Sequence, residues 1–327
     1  MLKAYLVQGH TLSSRTPADS ERDAALHAAV WIDLFAPTPE EERLVEAALG
    51  ISIPTRDEMQ EIEVSSRLYV ENGARFMTAT VLCATDTDQP RTAPVTFILF
   101  GEKLVTVRYD EPRAFSLVAG KLSRVCSPAA TGMTVLSDLF DVIIDRAADL
   151  LERISADIDA LSHDVFEPER AAHREARTYR DTLKRIGRRG ELTSRVRESL
   201  VSVGRLVLFL ANDGEGGKLP KDMRGQLSTM QRDLQSLSDH ASYLGGKITF
   251  LLDALLGMVS LEQNNIIKLF SVAAVVFMPP TLVASIYGMN FRHMPELEWV
   301  AGYPMALGLM LLAAVVPYFF FKWRKWL

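Results

Sequence analysis

The sequence has only two cysteines, Cys83 and Cys126, far apart and without a CxxC pair. That argues against a disulfide framework or a thiolate metal site, and both read as reduced thiols. Its six histidines show no paired spacing, so a soft-metal centre lacks ligands. No GxGxxG or GxxxxGK[ST] occurs, so no nucleotide partner is expected. An excess of positive charge is missing too. The net charge is −5, which gives no reason to expect nucleic acid as a partner. The opening MLKAYLVQGH lacks the apolar stretch of a signal peptide, so the N-terminal part is expected to stay in the cytoplasm.

Charge is also missing locally. Charged residues make up 24% of the chain, yet mean hydropathy is +0.08. The two fit only if apolar residues are concentrated. LFSVAAVVFMPPTLVASI, from Leu269 to Ile286, carries no charge, and neither does VAGYPMALGLMLLAAVVPYFFF, from Val300 to Phe321. A bilayer span needs about 17–25 apolar residues, and both runs qualify. Lys268 precedes the first run, and Lys322, Arg324 and Lys325 follow the second. The positive-inside rule puts both flanks, and so both termini, in the cytoplasm. Trp323 and Trp326 suit an inner interfacial belt and Trp299 an outer one.

Residues 1–135 alternate short apolar runs with turn signals. MLKAYLV, ARFMTATVLCAT, APVTFILF and KLVTVRY read as strands, and PEEERLVEAALG, from Pro39 to Gly50, reads as a helix. The expectation is an α+β, mixed α/β, cytosolic domain. Residues 136–220 read as long helices. In the first, Asp138, Asp141, Asp145, Asp149 and Glu152 recur at steps of three and four, so carboxylates stack along one face. That face is either simply solvated or attracts cations. A basic segment follows, with Arg170, Arg174, Arg177, Arg180, Lys184, Arg185, Arg188 and Arg189. The two predict an antiparallel hairpin laced by opposite charges. NDGEGGKLP is a turn. A third helix is predicted from Lys221 through the first span to residue 288, with Gly245-Gly246 as its weakest point. An outer loop covers 289–299, a second span 300–321 and a basic tail 322–327.

The first span carries a polar seam. Steps of four and three from Asp253 reach Gly257, Ser260, Asn264, Ile267, Ser271, Ala274, Met278, Thr281, Ser285 and Gly288. Small and polar residues on a membrane helix mean either close helix packing or the wall of a pore. One chain with two spans cannot enclose a water-filled path, so a pore requires a symmetric oligomer. Pro279 and Pro280 fall mid-span and free backbone carbonyls of the preceding turn.

The run Tyr287-Gly288-Met289-Asn290, followed by MPEL (Met294 to Leu297) and by GYP (Gly302 to Pro304), resembles the CorA family of magnesium transport proteins. The likeness is strongest over 245–327 and is similar to the proteobacterial branch. It implies a non-enzymatic, homopentameric, funnel-shaped channel of the cell inner membrane, with divalent metal ions and the lipid bilayer as partners. It implies a selectivity filter at Gly288, Met289 and Asn290, with Asn290 binding hydrated Mg2+. It implies a pore lined by Thr281, Met278, Ser285, Ser271, Ala274, Ile267, Asn264 and Asp253, and a gate at Met278, Phe270 and Ile267. Glu296 and Glu298 become outer-loop acids that raise local cation concentration. Asp253, with Asp86 and Asp88 of the loop TDTDQP, becomes a cytosolic regulatory site for Mg2+. An amide oxygen is a hard ligand, and magnesium parts reluctantly with its waters, so an amide ring suits a hydrated ion. The implied cargo is Mg2+, with Co2+ and Ni2+ secondary. His293 and Arg292 depart from a purely acidic outer loop. Two other readings stand: a zinc-transporting relative of the same superfamily, and a non-transporting membrane-anchored sensor or scaffold.

Overall fold

The computed structural model describes residues 1–15, 22–85, 87, 90–166, 179–212, 220–290 and 294–324. They divide into two compact units, Met1–Leu251 and Leu252–Leu327.

The first unit opens with strands β1 (Leu2–Gln8) and β2 (Thr11–Arg15), helix α1 (Arg22–Ala28), β3 (Trp31–Phe35) and α2 (Pro39–Leu49). A short helix α3 (Val64–Arg67) leads into β4 (Leu68–Glu71), β5 (Ala74–Cys83), β6 (Arg91–Phe100) and β7 (Lys103–Arg108), and α4 (Arg113–Leu122) follows. The strands make one seven-stranded sheet in the order β2-β1-β3-β7-β6-β5-β4. β3 and β7 run parallel, and every other neighbouring pair is antiparallel. The four strands expected from sequence are all present. β2, β3, β4, α1, α3 and α4 are additional.

Both sheet faces are covered, which explains why the strands read as nearly continuous apolar runs. Ile32 and Leu34 pack with Leu26, Val45, Leu49, Phe76, Ile98, Val105 and Val107 in one core. Trp31 and Asp33 alternate with them along β3 and so point to the other face. There Trp31 stacks on Tyr5, and Phe97 meets Phe140 edge-on at 5.4 Å between centroids. α2 starts on a capping box, in which Thr38 Oγ1 accepts from Glu41 N–H and the Glu41 carboxylate accepts from Thr38 N–H. It ends on Gly50 with φ of 69°, a left-handed cap that favours glycine.

Two long helices complete this unit, α5 (Gly132–Phe166) and α6 (Tyr179–Asn212). The sequence reading separates them from the α/β region at residue 135. In the structure they pack onto the sheet instead, with Ile143, Leu150, Ile154 and Leu161 of α5 buried along one stripe. The reason is a backbone one. β5 has no partner beyond Met77 on its β4 side, and Thr80 N–H donates to Ser202 Oγ of α6 at 2.9 Å. Arg185 pairs with Asp164 at 3.1 Å and Arg189 with Asp157 at 2.8 Å, neither acid being one of the five singled out in the sequence. Ascending numbers on one helix meet descending numbers on the other, so the pair is antiparallel. Arg170, Arg174 and Arg177 lie outside the described residues.

α7 runs from Lys221 to Tyr287 as one helix of 67 residues, through Gly245-Gly246 and through both prolines. Its first half buries Leu227, Met230, Leu234, Ala241, Leu244, Ile248 and Leu251. Those steps of three, four and seven form a stripe that holds it against the rest of the first unit. Lys247 ties it to Asp159 of α5. After a four-residue 3-10 turn, Pro295–Glu298, α8 covers Gly302–Trp323. α7 and α8 are the two described helices long and apolar enough to cross a membrane.

Candidate ion-conducting face

In the second unit many large apolar side chains are exposed, including Phe270 at 70%, Phe277 at 68% and Leu311 at 67%. A soluble core would not leave such residues in water, whereas lipid or neighbouring chains account for them.

The few residues that lose exposure mark where α7 and α8 meet. On α7 they include Val272, Val276, Pro279, Pro280, Val283 and Tyr287. On α8 they include Ala306, Met310, Ala313, Ala314 and Pro317. Both sets recur at steps of three and four. The α8 set is mostly small, which lets two membrane helices approach closely.

The polar seam lies elsewhere. At 3.6 residues per turn it is roughly 190° around α7 from the stripe that meets α8. Asp253, Asn264, Ile267, Ser271, Met278, Thr281 and Ser285 are all exposed, and Ala274 is half-buried. Phe270 lies beside this seam and Ile267 within it. Close packing within one chain is therefore not what the seam serves, because the second helix occupies the opposite side. Pro279 and Pro280 sit on the stripe against α8, not on the seam.

Hydrogen bonding gives the seam a sign. The Thr281 hydroxyl donates to the Phe277 carbonyl at 2.7 Å, and the Ser260 hydroxyl donates to the Leu256 carbonyl at 3.0 Å. Each hydroxyl spends its only proton on its own helix, so its outer side shows lone pairs. Those accept from the waters around a cation. Asp253 adds a carboxylate at the same face, so these three groups suit a hydrated cation better than an anion.

The helix ends at the motif. Gly288 N–H donates to Ala284 O at 2.9 Å and Met289 N–H to Ile286 O at 3.2 Å. The φ of Gly288 is not positive. Its glycine requirement is close approach, since an added Cβ would lie 3.0 Å from the Ala284 carbonyl oxygen. Asn290 is the third residue beyond the helix, exposed, and its amide has no hydrogen-bond partner among the described residues. Beyond it Glu296 is half-buried and Glu298 exposed on the 3-10 turn. Arg292 and His293 lie outside the described residues.

A family model described as CorA-like Mg2+ transporter protein matches residues 27–323. The chain belongs to the CorA family. The magnesium transport protein CorA of Sodalis glossinidius is 36% identical over 327 residues, with 100% of each chain covered. That of Escherichia coli K12 is 35% identical over the same length, again with 100% of each covered. The complete structure of the CorA magnesium transporter from Methanocaldococcus jannaschii aligns with a TM-score of 0.76 at 17% identity, over 100% of this chain and 99% of that one. That likeness carries the fold. CorA membership accounts for the order of the parts: mixed sheet, long helices, then two apolar helices joined by the loop with the GMN and MPEL runs.

Asp86 and Asp88, the sequence candidates for a regulatory site in this CorA-family chain, lie outside the described residues. Thr85 and Thr87 border a cavity of about 850 Å3 lined also by Arg153, Arg185, Arg188, Arg189 and Arg195, with the carboxylates of Asp157 and Glu191 among them. Sequence reasoning missed this wall, because Arg153 and the α6 arginines are far apart in the chain. Among the described residues no group of three or more His, Cys, Asp or Glu side chains could hold a metal ion. The acidic face of α5 does gather charge. Lys121 pairs with Asp138 at 2.7 Å. Nearby, desolvation and the neighbouring carboxylates Asp138, Asp145 and Asp233 push the Asp141 pKa up, against the pull of Lys121.

Proposed function

We propose that this chain is the subunit of a homopentameric magnesium channel of the cell inner membrane, with both termini cytoplasmic. One observation carries the reading. The polar, acceptor-bearing seam of α7 is turned away from α8 and leads to the exposed Asn290, whose amide has no partner among the described residues. Five such seams around an axis would enclose the polar path that one chain cannot.

In that ring Asn290, with Gly288 and Met289, forms the outer filter. Five amides accept hydrogen bonds from hydrated Mg2+ without stripping its shell. Thr281, Ser285, Ser271, Asn264 and Ala274 line the path, and Asp253 places a carboxylate ring at its inner mouth. Met278, Phe270 and Ile267 form apolar constrictions that gate by dewetting. Glu296 and Glu298 concentrate cations at the outer mouth, an effect screened by salt. The membrane potential drives influx, supplying about 2.3 kcal/mol per charge per 100 mV, about twice that for a divalent ion. Co2+ and Ni2+ are secondary cargo. Intracellular Mg2+ closes the ring by binding carboxylates between subunits, Asp253 among them, with Asp86 and Asp88 as partners. The names of the full-length relatives favour magnesium over zinc.

The test is uptake by liposomes reconstituted with wild type and with Asn290→Ala, using Mg2+, Co2+, Ni2+ and Zn2+ in turn. Mg2+ uptake by wild type and its loss in the variant is the expected result. Equal uptake by both would remove Asn290 from the filter. Zn2+ uptake without Mg2+ would install the zinc reading, and uptake of neither the sensor reading.

A further inference from the structure

Gly302 opens α8 and is buried. A Cβ built there would lie closer than 3.0 Å to the Glu296 carbonyl oxygen and 3.4 Å from the Glu296 carbonyl carbon. The obstacle is backbone, which cannot swing aside as a flexible side chain would. Gly302 has no positive φ, so its glycine requirement is this approach and not conformational freedom. Its N–H also donates to Trp299 O at 2.9 Å. The 3-10 turn Pro295–Glu298 is therefore seated directly on the first turn of α8.

Among the described residues no side-chain cap fixes that turn. Met294 at its start and Ala301 at the start of α8 make no side-chain capping bond. The turn carries both described acids of the outer loop, Glu296 and Glu298. We propose that Gly302 is a positioning residue for these carboxylates: only a bare Cα lets the Glu296 backbone dock on α8, and that docking sets where the acids stand relative to the ion entrance. The inference rests on the reading that these acids concentrate cations at the outer mouth.

The experiment exploits screening. The Debye length is about 30 Å at 0.01 M ionic strength and about 8 Å at 0.15 M, so acid-assisted entry should be strong at low salt and weak at high salt. Mg2+ uptake into liposomes is measured at both ionic strengths for wild type, Gly302→Ala, the double variant Glu296→Gln/Glu298→Gln, and all three changes combined. Assembly is checked by size-exclusion chromatography. The expected result is a several-fold loss at low salt for Gly302→Ala, little loss at high salt, and no added loss in the combined variant. A second variant inserts one glycine after Trp299, which keeps Gly302, adds no clash and loosens the turn. It should flatten the salt dependence in the same way.

An unchanged salt dependence in Gly302→Ala or in the insertion variant would overturn the proposal. So would an equal loss at both ionic strengths, a fully additive loss in the combined variant, or failure of Gly302→Ala to assemble, which would assign the glycine to folding of α8. If the double acid variant keeps the wild-type salt dependence, the acid reading itself fails. If it loses that dependence while Gly302→Ala keeps it, the role of Gly302 alone fails.

Discussion

The Thr281 hydroxyl donates to the Phe277 carbonyl at 2.7 Å, bridging the turn that contains Pro279 and Pro280. Those prolines supply no N–H to the Val275 and Val276 carbonyls, so this part of α7 holds together with two fewer helical bonds. The Thr281 bond reinforces the turn and leaves lone pairs on the outer side of the oxygen. Thr281→Ser keeps the hydroxyl and should conduct like wild type. Thr281→Val keeps the shape and loses the bond, worth roughly 1 kcal/mol, and Mg2+ uptake should fall about fivefold to tenfold. Wild-type uptake by the valine variant would remove Thr281 from the path.

Asp33 and Arg108 form a buried pair across the parallel strands β3 and β7. Arg108 Nη2 meets Asp33 Oδ2 at 2.9 Å, and the side chains are 7% and 2% exposed. Thr106 Oγ1 donates to Asp33 Oδ1 at 2.8 Å, and the guanidinium lies between the Phe35 and Phe115 rings. Removing one partner strands a buried charge. Asp33→Asn or Arg108→Met should each cost about 3–5 kcal/mol, whereas the two together should cost much less. Chemical denaturation of the full chain in detergent reads both values.

Gly132 begins α5 against β7. An added Cβ would lie closer than 3.0 Å to the backbone of Lys103 and Leu104. Its N–H donates to Glu102 O at 2.5 Å, so the junction cannot slide without losing a bond. Gly132→Ala should destabilise the chain by about 1–3 kcal/mol or more. A melting temperature equal to wild type would show that the junction relaxes freely.

Asp141 should make stability fall with rising pH. Desolvation and the facing carboxylates Asp138, Asp145 and Asp233 raise its pKa in the folded chain, with Lys121 opposing. Asp222 and Lys221 line the adjoining cavity. A raised folded pKa means that the protonated form is favoured by folding. That contribution is complete below the unfolded pKa, near 3.9, and is lost as pH rises through the folded value. Asp141→Asn should therefore stabilise the chain at pH 7, by less than about 1 kcal/mol because the site is exposed, and should change nothing at the acid end. A variant no more stable than wild type at pH 7 would contradict this.

The membrane part was legible because its signals are local. Runs without charge, a step of three and four from Asp253 to Gly288, and YGMN at the end of a span all appear within a short window of sequence. The strands rich in Val, Thr and Phe, and the helix between Thr38 and Gly50, were legible for the same reason. β3 was not, because WIDLF is short and holds Asp33 at its centre, a residue that only a buried partner 75 positions away makes tolerable in a strand. The packing of α5 and α6 on the sheet was also hidden, since it depends on the unpaired edge of β5.

Sequence alone determined that two apolar helices end this chain and that one carries a polar seam leading to Asn290, because helical periodicity and hydropathy are properties of neighbouring residues. Tertiary structure decided which way the seam points. α8 takes the opposite side of α7 with its small residues, and that choice leaves the seam exposed. It also decided that Gly302 is a contact and not a hinge, and that arginines from two helices line the cavity beside Thr85 and Thr87. Each of these depends on backbone surfaces meeting across the fold, which no local pattern of residues encodes.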